Sequence, residues 1–397
     1  MHETTRLLRD LVRLPSVNPM GLPVEGPLYL EGRLGDYLEN HFRERGYQYA
    51  RQSVAPGRDN LLAIAEPEKP HGTLIFEVHQ DTVPVEGMTI DPFGAVIDSG
   101  RLYGRGACDV KGGMAAMLAA FGRYAQERPR GGPRLVLACT VDEEFTFLGV
   151  QRLVRERLGP DPVRAVVAEP TGLDLVQAHK GVVRWVISTT GRACHSSTPE
   201  QGINAIYRMG RLLPHLEQYA ERLRQSACDP LLGPPTLSVG TIHGGASVNV
   251  VPDGCRIDID RRLIPGEQPE DAPRQLDAYL RQHTPEVEFT TQPPYLNCPS
   301  LAPTGSDLIA EPLGQAIEAV RGKKPRVLAV PYGTDASSLA LAGIPSVVFG
   351  PGDIAQAHTK DEWIELAQVE MAAEILYRFA CWEAANGLVG RTRGVGN

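Results

Sequence analysis

Four short, uninterrupted apolar runs, "NLLAIAE", "TLIFEVH", "RLVLACTV" and "AVVAE", punctuate the first 170 residues and leave little choice of fold. Apolarity that does not alternate belongs to strands buried on both faces, as inside an α/β sheet. Helix-period patterns lie between them. "TTRLLRDLVRL" places Leu7, Leu8, Leu11 and Val12 on one face, with Thr4 or Thr5 as the expected cap. "YLEGRLGDYLENHFRERG" does the same with Leu30, Leu34, Leu38 and Phe42 and stops at Gly46. The Ala-rich "GGMAAMLAAFGRYAQE" is expected to pack closely on the sheet.

The pattern changes near residue 180. "VVRWVISTTG" reads as a strand and "GINAIYRMGRLLPHLEQYAERLRQ" as a long helix, kinked or broken at Pro214. "PTLSVGTIHGG" and "CRIDIDRRLI" read as strands, "QPEDAPRQLDAYLRQHT" as a helix and "EVEFTTQ" as a last strand. This β-α-β-β-α-β order is the ferredoxin-like arrangement, and its alternation implies a sheet with one exposed face. After about residue 295 the earlier style returns. "RVLAVPYGTD" and "PSVVFGPG" read as buried strands, "QVEMAAEILYRFACWEAA" as a terminal helix and "VGRTRGVGN" as a frayed tail. The expectation is a split α/β domain (1–179 and 296–397) with a mostly parallel central sheet flanked by helices, interrupted by a ferredoxin-like domain over 180–295.

Composition narrows the surroundings. No apolar run approaches the roughly 18 residues of a membrane span, and the acidic N-terminal stretch lacks a signal core, so no export signal is expected. The seven dispersed cysteines form no CxxC pair and read as reduced thiols in a cytoplasm. A net charge of −8 without a Lys/Arg block makes nucleic acid and anionic membrane unexpected partners.

The chemistry sits where the apolar runs stop. His79 and Asp81 follow "TLIFEV", Asp109 lies in "GRGACDVKGG", Glu143 and Glu144 follow "RLVLACTVD", Glu169 follows "AVVA", and His358 lies in "AHTKDE". Each motif alone has an ordinary explanation. One HxD is usually a satisfied histidine, adjacent acids usually form a solvated turn, and the Gly-rich segment around Asp109 reads as a turn before a helix. That segment is not a phosphate loop, because Lys111 and its glycines do not fit the spacing. Together they lie at strand ends, where open α/β sheets bind ligands. Imidazoles and hard carboxylates with no cysteine suit zinc, cobalt or manganese, and one carboxylate is left over as a base.

From "HQDTVP" to "HTKDE" the chain resembles the M20 metallopeptidase family, over nearly its whole length. The resemblance implies two divalent ions, zinc foremost with cobalt or manganese possible. It places His79, Asp109 and Glu169 around one, and Asp109, Glu144 and His358 around the other. It makes Glu143 the general base and Asp81 the orienting acid. Glu at 169 matches the family's deacylases and carboxypeptidases rather than its aminopeptidases. His195 in "GRACHSSTPE" matches a lid histidine that polarises the scissile carbonyl, often from the partner subunit. Asn249 in "SVNVVPDG", Arg262 in "DRRLIPGE", and Gly333 and Thr334 in "YGTDAS" match substrate contacts; Asp335 and Gly350 to Gly352 match the lining loops. Asp335 also reads as a plain helix cap. Cys108 and Cys194 replace the family's usual Ser or Ala, with packing the expected role. The implied activity is hydrolysis of an N-acyl amino acid, acetylornithine-type deacylation first, by a homodimer joined through the inserted domain. A dipeptidase or carboxypeptidase is the alternative. Loss of Glu143 or a ligand would point instead to an inactive binding relative, and all are present.

Overall fold

The computed structural model describes residues 1–23, 25–156, 158–161 and 163–386. It forms two compact units. The first comprises Met1–Gln177, Pro303–Leu328 and the chain from Thr334 onward; the second comprises Ala178–Ala302 and Ala329–Gly333.

The first unit opens with α1 (Glu3–Val12) and α2 (Gly32–Glu44). Leu7, Leu8, Leu11 and Val12 are buried on one face of α1, and Leu34, Leu38 and Phe42 on one face of α2. Neither Thr4 nor Thr5 caps α1. Both are buried inside it and His2 holds the cap position, its Nδ1 2.7 Å from the Thr4 hydroxyl. Leu30 lies before α2 in a left-handed conformation, so the helix starts later than its periodicity suggested. Strands β1 (Gln48–Ala55), β2 (Arg58–Ala65) and β3 (Thr73–His79) follow, then a short pair, β4 (Val96–Asp98) and β5 (Arg101–Tyr103). Helix α3 (Gly112–Glu127), β6 (Arg134–Thr140), α4 (Leu148–Leu153), β7 (Val163–Val167) and β8 (Leu175–His179) complete this stretch. All seven residues of β3 are buried, as its unbroken apolarity requires.

The second unit is β9 (Gly181–Thr190), α5 (Ala205–Gln225), β10 (Thr236–Gly244), β11 (Gly254–Leu263), α6 (Asp271–His283), β12 (Phe289–Thr291) and β13 (Leu296–Cys298). Its sheet runs β10-β11-β9-β12 with antiparallel pairing, and β13 adds to β9. That is the ferredoxin-like order, with β13 as an addition the sequence pattern did not reveal. Helix α5 runs through Pro214 as one element of 21 residues. Its N-terminus is capped by Asn204, whose side chain accepts the Tyr207 N–H. Trp185, Ile187, Met209, Leu212, Ile257, Leu276 and Leu280 form this unit's core.

The chain returns through α7 (Asp307–Arg321), β14 (Val327–Val330), α8 (Ala336–Leu341), β15 (Ser346–Val348), β16 (Trp363–Glu365) and α9 (Leu366–Asn386). The eight-stranded sheet has the order β1-β2-β6-β3-β7-β15-β8-β14. Its centre, β6-β3-β7-β15, is parallel, and β1, β2 and β8 pair antiparallel. Strand β14 is exposed to half-buried rather than buried, because it is the edge of that sheet. The expected frayed tail at 389–397 lies outside the described residues.

Candidate metal centre

Parallel strands deliver the acids and imidazoles to one end of the sheet. His79 is the last residue of β3. Glu143 and Glu144 lie in the turn after β6, and Glu169 lies two residues beyond β7. Asp109 sits in a tight turn ahead of α3, where its peptide bond to Val110 is cis. His358 takes a left-handed backbone before β16. The seven acids and imidazoles that sequence analysis assigned to the metals, the base and the orienting role, Asp81 included, converge.

The Asp109 carboxylate lies between the two imidazoles. Its Oδ1 is 3.2 Å from His79 Nε2 and its Oδ2 is 3.2 Å from His358 Nε2. His358 Nε2 is also 3.3 Å from Glu144, and His79 Nε2 is 3.9 Å from Glu169. The other nitrogen of His79, Nδ1, is 3.0 Å from the Asp81 carbonyl oxygen. A carbonyl can only accept, so Nδ1 carries a proton, and Nε2 is the nitrogen left to face Asp109 and to take a cation. Burial opposes a charge on this ring, but the contact with Asp109 and the negative neighbours Glu143 and Glu169 raise it well above the ordinary imidazole range.

Asp81 acts differently from the simple picture of a carboxylate gripping an imidazole. Its carboxylate is 3.7 Å from His79 Nδ1, farther than its own carbonyl. Instead its Oδ1 accepts the Glu143 N–H and its Oδ2 accepts the Glu144 N–H, both at 3.1 Å. Asp81 therefore orients the ring through its backbone and the acidic turn through its side chain.

The electrostatics agree with a cation-binding set. Burial pushes Glu143 and Glu169 well above the ordinary carboxylate range, and the negative neighbours Glu169 and Glu144 add to it for Glu143, Asp109 for Glu169. Burial and then Asp109 raise Glu144. Burial opposes ionisation of Asp109 too, but hydrogen bonds from His358 and His79 hold its carboxyl well below the usual range. His358 is pushed up to about 11 by its contacts with Asp109 and Glu144. A buried cluster this rich in carboxylates can stay ionised only with positive charge inside it. Ligand atoms of His79, Asp109 and Glu144 lie within 4.8 Å of one another, as do those of His79, Glu143 and Glu169. The residues present thus fit divalent ions, and the ligand-distance groups allow more than one partition of them.

Glu362, Glu77 and Thr140 support the site and were not picked out by sequence reasoning, unlike Thr334, Asp335, Gly350 and Cys108. Glu362, fully buried, accepts the N–H groups of Gly106, Cys108 and Asp109 at 3.1, 2.8 and 3.0 Å and pairs with Arg105 at 2.7 Å. It closes "HTKDE", so an acid in that motif was its only signal. Glu77, Thr140 and Asp335 form a buried trio behind His79, with the Thr140 hydroxyl 2.5 Å from Glu77 and 3.2 Å from Asp335. Asp335 precedes α8 but makes no side-chain cap bond. The cap-like contact belongs to Thr334, fully buried, whose hydroxyl accepts the Ala336 N–H at 3.2 Å. Gly350 must be glycine: a Cβ there would stand 2.6 Å from the Glu169 carbonyl oxygen. Cys108 is buried and Cys194 half-buried, and all seven cysteines are free.

The remaining selected residues, His195, Asn249, Arg262 and Gly333, lie in the second unit. His195 is exposed on a loop bridged to Val250, and its Nδ1 accepts the Ser197 N–H at 3.2 Å. Asn249 is exposed on the facing strand of that bridge, with its carbonyl accepting the Ser196 N–H. Arg262 forks onto Asp260 at 2.7 and 3.2 Å. A Cβ at Gly333 would stand 3.0 Å from Cys298 Sγ.

Known proteins share this plan. The chain is 32% identical to an acetylornithine deacetylase of Myxococcus xanthus over 86% of its length and 90% of the relative's. It is also 32% identical to an acetylornithine deacetylase of Proteus mirabilis, over 93% of its length and 94% of the relative's. A solved M20 family metallo-carboxypeptidase from Sulfolobus solfataricus superposes with a TM-score of 0.77 at 18% identity, covering 97% of this chain and 100% of that one. The profile of Peptidase family M20/M25/M40 matches residues 75–381, and the chain belongs to that family.

Proposed function

We propose that the protein is a two-metal amidohydrolase that removes the acyl group from N-acyl amino acids, with N-acetylornithine-type substrates first. One observation carries the chemistry: the Asp109 carboxylate spans two imidazole nitrogens, with Glu144 and Glu169 at its flanks. The two 32%-identical relatives, named as deacetylases, support the substrate class.

In this reading His79, Asp109 and Glu169 hold one ion, and Asp109, Glu144 and His358 hold the other. Zinc is the first choice, and imidazoles and carboxylates without thiolates also suit cobalt and manganese. The ions would polarise the scissile carbonyl and acidify a water. Glu143 takes the water's proton and returns it to the leaving amine. Asp81 fixes the peptide from which Glu143 projects. His195 Nδ1 is occupied as an acceptor, so its Nε2 carries the proton and can donate to a developing oxyanion. Arg262, Asn249 and the Gly333–Thr334 backbone are assigned to the substrate's carboxylate. Because one side of the Arg262 fork is held by Asp260, the substrate would take the other.

The reading extends to setting. No described helix is long and apolar enough to cross a membrane. Seven unpaired, dispersed cysteines support a cytoplasmic enzyme, and the net charge of −8 supports a small-molecule substrate over nucleic acid. The inserted domain, expected over 180–295, is assigned to lid closure and homodimerisation.

The metallo-carboxypeptidase likeness keeps a second reading alive, cleavage of dipeptides by the same groups. Zinc-, cobalt- and manganese-reconstituted protein assayed on N-acetyl amino acids and on dipeptides decides between them. Faster turnover of N-acetylornithine is expected; preference for dipeptides selects the second reading, and no hydrolysis of either refutes both.

A further inference from the structure

A buried side chain of the N-terminal segment reaches the turn that carries Glu143. Asn18 is fully buried, and its Nδ2 donates to Asp81 Oδ2 at 2.7 Å and to Asp142 Oδ1 at 2.9 Å. The orientation of the amide is fixed, because its Oδ1 accepts the Met20 N–H at 3.0 Å and only Nδ2 can face two carboxylates. The segment itself is stitched to the end of β3. The Ser16 hydroxyl donates to the Gln80 carbonyl, Thr82 N–H to the Ser16 carbonyl, and Asn18 N–H to the Thr82 carbonyl.

Both carboxylates act on the Glu143 turn. Asp81 accepts the N–H groups of Glu143 and Glu144. Asp142 immediately precedes Glu143 and sits at φ 66°, a left-handed conformation that a non-glycine residue keeps only when its surroundings hold it. Its carbonyl accepts the N–H groups of Thr146 and Phe147, and its carboxylate pairs with Arg58 at 2.5 Å. Arg58 is anchored in turn by the buried Glu31, Nε to Oε2 at 3.0 Å. One amide nitrogen thus bridges two buried carboxylates that both grip the same turn, with Arg58 balancing the charge of Asp142. Without it those oxygens lose a shared donor and repel.

We propose that Asn18 is a positioning residue for Glu143: its amide locks Asp81 to Asp142, and that lock sets where the Glu143 carboxylate points. The proposal rests on Glu143 being the proton-transfer group. A displacement of about 1 Å in such a group can cost on the order of a hundredfold in turnover.

The test is Asn18→Ala, measured by steady-state kinetics and by hydrogen exchange on the metal-loaded protein. The expected result is a kcat lower by about 10- to 100-fold, with KM within threefold and bound metal unchanged. Exchange in the segment 141–147 should speed up at least tenfold while 73–79 stays protected. Wild-type kcat overturns the proposal, and so does a lower kcat with unchanged exchange at 141–147. In a Glu143→Gln background, Asn18→Ala should lower residual turnover by less than threefold; an equal further loss shows action outside Glu143 and also overturns it. Should the alanine variant fail to fold, Asn18→Ser, which keeps one hydroxyl donor, carries the same measurements. If the wild type hydrolyses no amide substrate, the functional reading fails, and the exchange comparison alone still decides whether Asn18 holds the turn.

Discussion

Glu143 and Glu144 are neighbours in sequence with different surroundings. Glu144 faces His358, whereas Glu143 has no imidazole or guanidinium within ion-pair reach among the described contacts and is raised by burial and negative neighbours. A ligand and a base are therefore separable by mutation. Glu143→Gln should keep both ions, read by elemental analysis, and lower kcat by about a hundredfold or more. Asp109→Ala should instead lose metal, since its carboxylate is the piece shared by both imidazoles. Full metal retention there would remove the bridging role. A second residue-scale effect concerns His179, fully buried, whose imidazole is pushed down to about 4 by burial. Unfolded, it would titrate near 6.5. Between those values the unfolded chain binds a proton that the folded one does not. The stabilising contribution is present above about pH 6.5 and is lost as pH falls towards 4, on the order of 3 kcal/mol in all. Urea unfolding of chelator-treated protein, which removes metal linkage, should show this acid loss, and His179→Gln should flatten it.

At the scale of elements, the site is a set of strand ends held in register by a few long-range bonds. The strand ends were legible in the sequence because each buried parallel strand is an unbroken apolar run, and the residue that stops the run marks the end facing ligand. The bonds between them were not legible. Glu362 closes a motif near the C-terminus yet holds three backbone N–H groups of the turn around Asp109. Nothing local to "HTKDE" tells a buried acceptor from a solvated acid. Asn18 was silent for the same reason: an Asn before Pro reads as a turn residue, and its two carboxylate partners lie 63 and 124 positions away. Edge elements escaped too. Strand β1 alternates weakly, and β13 has three residues. The Glu362 arrangement has a measurable consequence. Glu362→Ala would leave Arg105 buried without its partner, and breaking such a pair costs about 3–5 kcal/mol. Equilibrium unfolding should show that loss, together with weaker metal binding, because the Asp109 turn loses its acceptor. Stability within about 0.5 kcal/mol of wild type, the range of a neutral surface change, would mean that Glu362 does not hold the turn.

At the scale of the whole molecule, the second unit exposes several large apolar side chains. Val248 is fully exposed and Tyr207 71% exposed, with Ile206, Ile242 and Val250 beside them in sequence or on the neighbouring strand. Strand β10 is the edge of its sheet, and most of it is open to solvent. An open edge with apolar side chains is a template for pairing with another chain. His195 lies on the loop bridged to Val250, so its position should depend on whatever covers that surface. A homodimer through this edge would explain all three features at once. Sedimentation should then show a dimer, and Val248→Asp with Ile242→Lys should shift it towards monomer. His195→Ala should keep its metal and lose about 10²–10³ in kcat, the usual loss for one oxyanion donor. Mixing His195→Ala chains with Glu143→Gln chains separates two geometries. If His195 serves the partner's site, mixed dimers contain one intact site and regain activity; if it serves its own, every site stays defective. Wild-type kcat in His195→Ala would remove the donor role, and a fully active wild-type monomer would remove the dimer.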